Sequence, residues 1–332
     1  MNKDKAMKKN SLKDKKIIVS FTSFPKRINT IAPMLNSIIN QTLKADKIVL
    51  WLAQSEFSEK EKSLPEYILN FVKEGKLIIE WCDDLKSHKK YFYALKKYVN
   101  DIIILVDDDL IYDKNLIRSL INSYLLFPKA ISAKRTHLML KNIKENDFVE
   151  YNYWPLEVNA WIGKPSMQLF ATTGAGTLIP PKLLNLSFFD EQVIKNICLY
   201  SDDIWLKAIE TVSDIPIVQT EYFDGLKYVP ETQKFSLSKY NLEKKQNDVQ
   251  LKQVKNWLDN KFGENYFMSK IFNSDIGENL SSIESVCLSF QNKIDDISKK
   301  LRKANKTIRK IKKRKTFINR IVQKTKNLIS NK

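Results

Sequence analysis

Two clusters of aspartates are the residues of this 332-residue chain whose types and spacing could do chemistry. Asp107, Asp108 and Asp109 follow the apolar run IIILV, and Asp202 and Asp203 open the segment DDIWLKAIE. Neighbouring carboxylates repel one another unless a cation offsets their charge, and hard oxygen ligands on one short segment suit Mg²⁺ or Mn²⁺. An acidic turn that ends a strand or caps a helix has the same composition, so the clusters alone leave both interpretations open.

Short apolar, β-branched runs must position these side chains. They predict strands at 16–22, 47–52, 76–81 and 101–106, separated by amphipathic helices. Nearly wholly apolar strands alternating with helices predict an α/β fold with a mostly parallel sheet buried on both faces. Ligands of such sheets bind beyond the carboxyl ends of the strands, where the first aspartate cluster lies. No GxGxxG or GxxxxGK[ST] motif occurs, so a bound phosphate would need a metal and cationic side chains.

The second aspartate cluster has an equally simple structural interpretation. Acidic residues in a first helical turn are favoured by the helix dipole, and Ser201 or Asp202 can cap the helix. A carboxylate within hydrogen-bond reach of a hydroxyl can also take its proton. Between the two clusters, Gly174 and Gly176 stand close together in a chain with only 7 glycines, which indicates a close approach to the backbone or a positive φ.

Six motifs, taken in order, resemble bacterial GT-A glycosyltransferases of the family-2-like type. The motifs read IIVSFTSFPKRINTIAPMLNSIINQT, IVLWL, DDLKSHKKYFYAL, IIILVDDDLIY, TTGAGTLIPP and YSDDIWL, and the resemblance covers roughly residues 16–225. The resemblance implies a Rossmann-like GT-A domain in which DDD is the DxD motif. It also implies a nucleotide-diphosphate sugar donor, most often a UDP-sugar, and a Mn²⁺ or Mg²⁺ cofactor. The expected product is a surface polysaccharide such as a capsule or lipopolysaccharide, built on a glycan or lipid-linked acceptor.

The same resemblance assigns roles to individual residues. Asp109 would ligate the ion, with Asp107 facing the ribose and the water shell of the metal. Asp203 would be the general base of an inverting transfer beside Asp202, and the reverse order of these two stays open. The residues expected to bind the donor are Thr22, Ser23, Arg27, Asp84 at the nucleobase, Lys90 at the diphosphate, Asp107, Asp108 and Gly174.

Two points of the resemblance stay open. Trp154 and Trp161 lie in a loop-like stretch where they could stack on the acceptor sugar, although core packing is the more common fate of tryptophan. Many GT-A proteins carry a histidine after the catalytic acid as a further metal ligand, but His88 and His137 both precede it here. The third metal ligand is therefore unassigned.

Two other functions compete with sugar transfer. A haloacid-dehalogenase-like phosphohydrolase also uses D-x-D after a strand, which Asp107 and Asp109 could supply. Three predicted strands precede the strand that ends in DDD, however, whereas the nucleophile strand of that family usually comes near the N-terminus, and LIY follows DDD where that family has small residues. The non-enzymatic alternative is a membrane-associated scaffold that functions through its tail.

The formal charge of +18 is concentrated at the two ends of the chain. Residues 1–16 carry +5, residues 17–280 carry no net charge, and residues 281–332 carry +13. Apolar residues at a 3-4 spacing from Ile283 predict a long helix, but no acidic residue follows Asp296. We therefore expect residues 297–332 to bind an anionic membrane surface, with homo-oligomerisation through 283–311 as the alternative and nucleic acid disfavoured.

The cysteines, the apolar runs and the N-terminal residues predict where the protein is located in the cell. The three cysteines are odd in number and far apart, no apolar run reaches membrane-spanning length, and the N-terminal residues lack a signal-peptide core. We expect a cytoplasmic protein peripherally attached to the inner face of the membrane. Its predicted parts are a basic tail at 1–15, a GT-A domain at 16–240, a helical extension at 241–280 and a basic amphipathic or coiled-coil helix at 281–332.

Overall fold

The structure, a computed structural model, describes residue 12 and residues 14–142, 144–235 and 245–272. Residues 1–11 of the predicted N-terminal tail and the whole of the predicted basic helix at 281–332 lie outside the described residues. Within the described part of the chain, no helix is long and apolar enough to cross a bilayer.

Eleven strands occur in the described residues, seven of them in one central sheet. The strands are β1 (Ile17–Thr22), β2 (Lys47–Ala53), β3 (Ile78–Cys82), β4 (Ile102–Leu105), β5 (Ile131–Ala133), β6 (Thr136–Leu138), β7 (Lys141–Asn142), β8 (Asp147–Phe148), β9 (Leu169–Ala171), β10 (Thr177–Ile179) and β11 (Ile217–Gln219). The sheet order is β11-β5-β10-β4-β1-β2-β3, and β10 alone runs antiparallel to its neighbours. The predicted α/β fold with a mostly parallel sheet is confirmed.

Helices flank this sheet on both faces. The α-helices of the described residues are α1 (Ala32–Ile39), α2 (Glu66–Lys73), α3 (Lys89–Lys97), α4 (Leu116–Leu126), α5 (Glu191–Ile197), α6 (Asp202–Val212), α7 (Gln246–Phe262) and α8 (Tyr266–Phe272). Residues 28–30 form a 3₁₀ turn before α1, and Ile31 is the N-cap of that helix. Thr30 donates its hydroxyl to the carbonyl of Arg27 at 2.8 Å.

The apolar strands bury side chains on both faces of the sheet, as their composition predicts. Along β1, Ile18 belongs to one hydrophobic cluster, and the next residue, Val19, belongs to the cluster on the opposite face. Full burial of each such side chain stabilises the fold by roughly 1.5–3 kcal/mol relative to exposure. The sheet is therefore a rigid platform for the loops at its carboxyl edge.

The strand order opens a crevice beside β1. Strands β2 and β3 lie on one side of β1 and β4 lies on the other, so the connections that leave β1 and β4 diverge. The loop after β1 carries residues 22–27, and the loop after β4 carries residues 107–109. Because β1 and β4 are adjacent, the topology places the DDD segment and the first loop side by side at the carboxyl edge of the sheet.

Helices α7 and α8 pack on the same core as the sheet. Leu251, Val254 and Leu258 of α7 and Phe267 and Ile271 of α8 are buried within the cluster that also contains residues of β1, α3 and α6. The described part of the predicted extension at 241–280 is thus attached to the sheet and its helices through a continuous apolar contact.

Candidate active site

A cavity of about 640 Å³ opens at the carboxyl ends of β1 and β4. This volume falls within the range of roughly 300–1,000 Å³ that is typical of small-molecule sites. The cavity brings together two segments separated by more than ninety positions in the chain, the DDD segment and the start of α6. The predicted site residues that line it are Thr22, Ser23, Arg27, Lys90, Asp107, Asp108, Asp109, Gly174, Asp202 and Asp203.

Lys90 joins the two acidic clusters. Its Nζ lies 2.6 Å from Oδ1 of Asp107 and 2.8 Å from Oδ2 of Asp202, and the side chain is almost wholly buried. Burial by itself would lower the pKa of Lys90, but the nearby carboxylates of Asp107, Asp202 and Asp203 outweigh it and raise that pKa. The cavity therefore holds a permanently charged ammonium between its two carboxylate groups.

Asp202 and Asp203 are neighbours with opposite electrostatic environments. Burial would raise the pKa of Asp202, but Lys90 outweighs it and lowers that pKa to about 2. Burial, followed by repulsion from Asp202, raises the pKa of Asp203 to about 7. Oδ1 of Asp203 accepts hydrogen bonds from the backbone N–H of Thr173 at 3.0 Å and from its hydroxyl at 2.5 Å. Asp202 is suited to remain an anion, and Asp203 to exchange a proton near neutral pH.

Asp108 holds the first loop in place. Its carboxylate accepts hydrogen bonds from Ser23 Oγ at 2.6 Å and from Arg27 Nη1 at 2.5 Å, and only 2% of the residue is exposed. Burial raises the pKa of Asp108 to about 6, although Arg27 opposes the shift. The predicted donor residues Ser23, Arg27 and Asp108 therefore form one buried unit that fixes the wall of the cavity.

Asp107 and Asp109 are the residues of the DDD segment that could hold a metal. Burial and then the charge of Asp107 raise the pKa of Asp109, so a nearby cation would relieve the repulsion. Asp109 also accepts a hydrogen bond from Gln233 Nε2 at 3.0 Å. Among the described residues, no group of three or more histidine, cysteine, aspartate or glutamate side chains could hold a metal ion. The site fits an ion that takes one or two carboxylates and completes its shell with diphosphate oxygens and water.

Gly174 is required by close packing against Asp107. A Cβ atom on Gly174 would lie 1.8 Å from Oδ2 of Asp107, so any side chain there would displace the carboxylate. The carbonyl of Gly174 accepts a hydrogen bond from the hydroxyl of Tyr112 at 2.5 Å. Gly176 has a φ of 110° and faces Leu116 rather than the cavity. The close backbone approach inferred from the glycine pair thus involves the first aspartate of the DDD segment.

Asp84 does not line the cavity, contrary to its expected place at the nucleobase. Its carboxylate instead pairs with Lys86 and, at 2.9 Å, with Nζ of Lys89. Burial opposes ionisation, but the hydrogen bonds from these two lysines lower the pKa of Asp84 to about 2. Lys86 and Lys89 do line the cavity. The role of Asp84 is therefore corrected to one of positioning two cations.

Neither tryptophan of the loop-like stretch lines the cavity, which corrects their expected contact with the acceptor. Trp154 is 3% exposed, and its Nε1 donates to the carbonyl of Val149 at 2.7 Å. Trp161 packs against the edge of the same core. Trp154 is a core residue because its indole packs against two other rings. The centroid of its ring lies 4.8 Å from that of Tyr151 and 5.4 Å from that of Phe170. Tyr151 and Phe170 line the cavity instead.

Both histidines are buried structural groups. His88 lies between the hydroxyl of Tyr91 at 2.6 Å and the carbonyl of Cys198 at 2.7 Å, and burial lowers its pKa to about 4. His137 lines the cavity, but its Nδ1 accepts the backbone N–H of Glu157 at 3.1 Å, and burial lowers its pKa to about 3.

Several residues of the site are not evident from the sequence. Ser87 donates to Asp202 at 2.8 Å, and Thr173 and Gln233 bind Asp203 and Asp109. Ser87 and Thr173 fall inside the motifs SHKK and TTGAG, so their position beside the motif residues is the available signal. Gln233 lies 124 positions from its partner, and nothing local marks it.

Comparisons with known proteins identify similar folds only. No family model matches the chain, and no curated protein matches it in sequence. Similar solved structures include the mannosyltransferase PcManGT from Pyrobaculum calidifontis in complex with GDP-Man and Mn²⁺, with 11% identity, a TM-score of 0.45 and coverage of 82% of this chain and 74% of that one. A 4-diphosphocytidyl-2C-methyl-D-erythritol synthase has 10% identity, a TM-score of 0.40 and coverage of 69% of this chain and 99% of that one. S. aureus TarS 1-349 has 10% identity, a TM-score of 0.37 and coverage of 79% of this chain and 73% of that one. At these TM-scores the assignment of an activity has to rest on the site itself.

Proposed function

We propose that this protein is a glycosyltransferase that moves a sugar from a nucleotide-diphosphate sugar to a hydroxyl of a saccharide or lipid-linked glycan. The observation that carries the proposal is the arrangement in one cavity of a proton-accepting Asp203, the buried cation Lys90 and the carboxylates of Asp107 and Asp109. A sugar transfer needs these three groups together, because a hydroxyl loses a proton while a diphosphate gains charge.

The reaction follows from the positions of these groups. The acceptor hydroxyl attacks the anomeric carbon, its proton passes to Asp203, and the bond between that carbon and the diphosphate oxygen breaks. The electron pair of that bond leaves on the diphosphate. Lys90, fixed between Asp107 and Asp202, offers positive charge on the side of the cavity where the DDD segment lies. Attack from the face opposite the leaving group inverts the anomeric centre, which suits a single carboxylate base.

A divalent ion, when bound, would stabilise the negative charge that develops on the diphosphate. Asp107 and Asp109 would hold it, with Mn²⁺ or Mg²⁺ as the ions that suit carboxylate and phosphate oxygens. We propose a UDP-sugar as the donor and a capsular polysaccharide or lipopolysaccharide as the product, on the motif resemblance alone.

Substitution of Asp109 tests the transferase proposal. We expect Asp109→Asn to reduce transfer from a panel of UDP-, GDP- and CDP-sugars with Mn²⁺ or Mg²⁺ by about 10²–10³-fold, because the neutral amide would hold the divalent ion that stabilises the leaving diphosphate less well. Release of the nucleoside diphosphate measures the reaction. Asp113→Asn is the matched control, since Asp113 is exposed, lies four residues downstream and is absent from the cavity wall.

The same assay separates the competing functions. Release of inorganic phosphate from a phosphoester, without nucleoside diphosphate, would support a phosphohydrolase based on Asp107 and Asp109. Failure of the intact protein to bind or turn over every nucleotide sugar would contradict the transferase proposal and favour a scaffold.

We further propose that residues 297–332 attach the protein to the inner face of the cytoplasmic membrane, because fifteen lysines and arginines follow Asp296 without an acidic residue. Each cation near an anionic surface contributes about 1 kcal/mol, and salt screens this attraction.

Vesicle flotation tests the attachment. The intact chain should float with vesicles that contain phosphatidylglycerol and not with pure phosphatidylcholine. Replacing the six basic residues of 309–315 with glutamine should strongly weaken flotation, because six of the fifteen cations are lost, while donor hydrolysis persists. Equal flotation of the variant would contradict membrane attachment, and a salt-resistant dimer in sedimentation would support self-association through 283–311 instead.

A further inference from the structure

The serine before the acid pair does not cap its own helix. Ser201 is the N-cap of α6, yet its side chain makes no capping hydrogen bond. Its hydroxyl instead donates to Oδ1 of Asn247 at 2.9 Å and accepts from Nε2 of Gln250 at 3.0 Å. A serine at this position usually binds a backbone N–H of the helix that it starts. Here the hydroxyl is committed to α7.

Gln250 uses both ends of its amide for this contact. The residue is 4% exposed, its Oε1 accepts the backbone N–H of Tyr200 at 2.9 Å, and its Nε2 binds Ser201. The Nε2 group also donates to the carbonyl of Gln246 within α7 at 3.2 Å. Without the Gln250 amide, the Tyr200 N–H would lose its acceptor and the Ser201 hydroxyl would lose one of its two partners, which is costly for buried polar groups.

The same end of α7 is also hydrogen-bonded to a second segment of the cavity wall. Oδ1 of Asp248 accepts the backbone N–H of Tyr151 at 2.7 Å, and both Tyr151 and Asn247 line the cavity. The contacts that attach α7 to the core come from other residues, chiefly Leu251, Val254 and Leu258. The polar contacts are therefore concentrated at the end of α7 that faces the site, whereas the apolar contacts continue along the helix.

We propose that the first turns of α7 are a positioning element of the active site, in which Gln250 and Asn247 hold Tyr200 and Ser201 and so fix Asp202 and Asp203 in the cavity. The inference rests on the proposed function in so far as Asp203 is the base. It makes the segment after residue 245 part of the catalytic unit, although that segment supplies none of the predicted site residues.

The substitution Gln250→Met tests this role, because methionine keeps the length of the side chain and removes its hydrogen bonds. We expect kcat to fall about 10- to 100-fold, since a small displacement of the base is enough to slow the reaction by that factor. The KM for the donor should change little, because most of the expected donor contacts come from the end of β1 and from the loops after β1 and β4. Val254→Ala is the control: it removes apolar packing from the same helix and should lower the melting temperature without lowering kcat.

A double-mutant cycle with Ser201→Ala tests whether Gln250 affects kcat through its contact with Ser201. If Gln250 acts through Ser201, the losses in kcat of the two single variants should not add in Gln250→Met/Ser201→Ala. Additive losses, or a loss confined to the melting temperature, would overturn the positioning role.

Amide hydrogen exchange gives a readout that does not depend on catalysis. The Tyr200 amide should exchange faster in Gln250→Met than in the wild type and in Val254→Ala, because its acceptor is gone. Unchanged exchange at Tyr200 would overturn the proposal even if kcat fell. If the wild type showed no transfer at all, the proposed function would fail, and the exchange result alone would decide whether α7 holds the turn.

Discussion

Replacing Lys90 with methionine is expected to abolish sugar transfer and to lower the free energy of unfolding by about 3–5 kcal/mol at pH 8. The ammonium lies within 2.8 Å of both Asp107 and Asp202, so its removal leaves buried carboxylates without a counter-charge. The leaving diphosphate would also lose the cation that we place beside it. Denaturant unfolding followed by circular dichroism measures the first effect, and nucleoside diphosphate release measures the second.

The loss of stability should depend on pH in a defined direction. In the wild type the raised pKa of Lys90 contributes stability throughout the range below its unfolded value of about 10.5, so it contributes fully at pH 5 and at pH 8. Without Lys90 the carboxyl group of Asp202 becomes harder to ionise, because Lys90 is the main cause of its lowered pKa, and protonation at low pH relieves the uncompensated charge. We therefore expect the stability difference between variant and wild type to be smaller at pH 5 than at pH 8.

Two further variants keep the Lys90 prediction testable if the single variant folds poorly. Lys90→Met/Asp202→Asn removes one of the two carboxylates and should recover part of the stability but none of the activity. Lys207→Met is the matched control, because Lys207 is 1% exposed and pairs with Glu210 at 3.6 Å away from the cavity wall. It should lose stability and keep donor binding. Full activity in Lys90→Met would contradict the assigned role.

Much of the sheet can be predicted from the sequence because its strands are short apolar runs. The runs at 16–22, 47–52, 76–81 and 101–106 correspond to β1–β4, since burial on both faces leaves a continuous apolar signal. The insertion of antiparallel β10 between β4 and β5 depends on contacts between distant segments, and no local pattern marks it.

The candidate site, like the sheet, can be predicted from the sequence only in part. The aspartates at the ends of β4 and at the start of α6 stand out because of their charge and their position after apolar segments. The sequence does not show that Lys90 connects them, because the connection depends on how α3 packs beside β1 and α6. The position of Trp154 is open in the sequence for a related reason: a loop-like composition does not reveal that Tyr151 and Phe170 cover its indole.

The substitution Asp203→Asn is expected to slow transfer by about 10²–10⁴-fold, the usual contribution of a general base. Asparagine keeps an oxygen that can accept the hydrogen bonds of Thr173, so the turn should retain its conformation. In the wild type, kcat should rise with pH through about 7, because burial and Asp202 raise the pKa of Asp203 to about that value. The residual rate of the variant should lack this dependence.

The substitution Asp203→Asn should raise the stability of the fold at pH 8 while it lowers the rate of transfer. A carboxyl group whose pKa is raised on folding binds its proton more tightly in the folded state, so wild-type stability falls as pH rises from about 4 to about 7. Asparagine carries no such cost, and we expect Asp203→Asn to be more stable than the wild type by about 1–3 kcal/mol at pH 8 and nearly equal to it at pH 4. Asp202→Asn should do the reverse, because the lowered pKa of Asp202 contributes stability that is present above about pH 4 and lost as pH falls towards 2. Two adjacent substitutions of the same kind would thus have opposite effects at pH 8, and a loss of stability in both would show that Asp203 is a structural anion rather than a base.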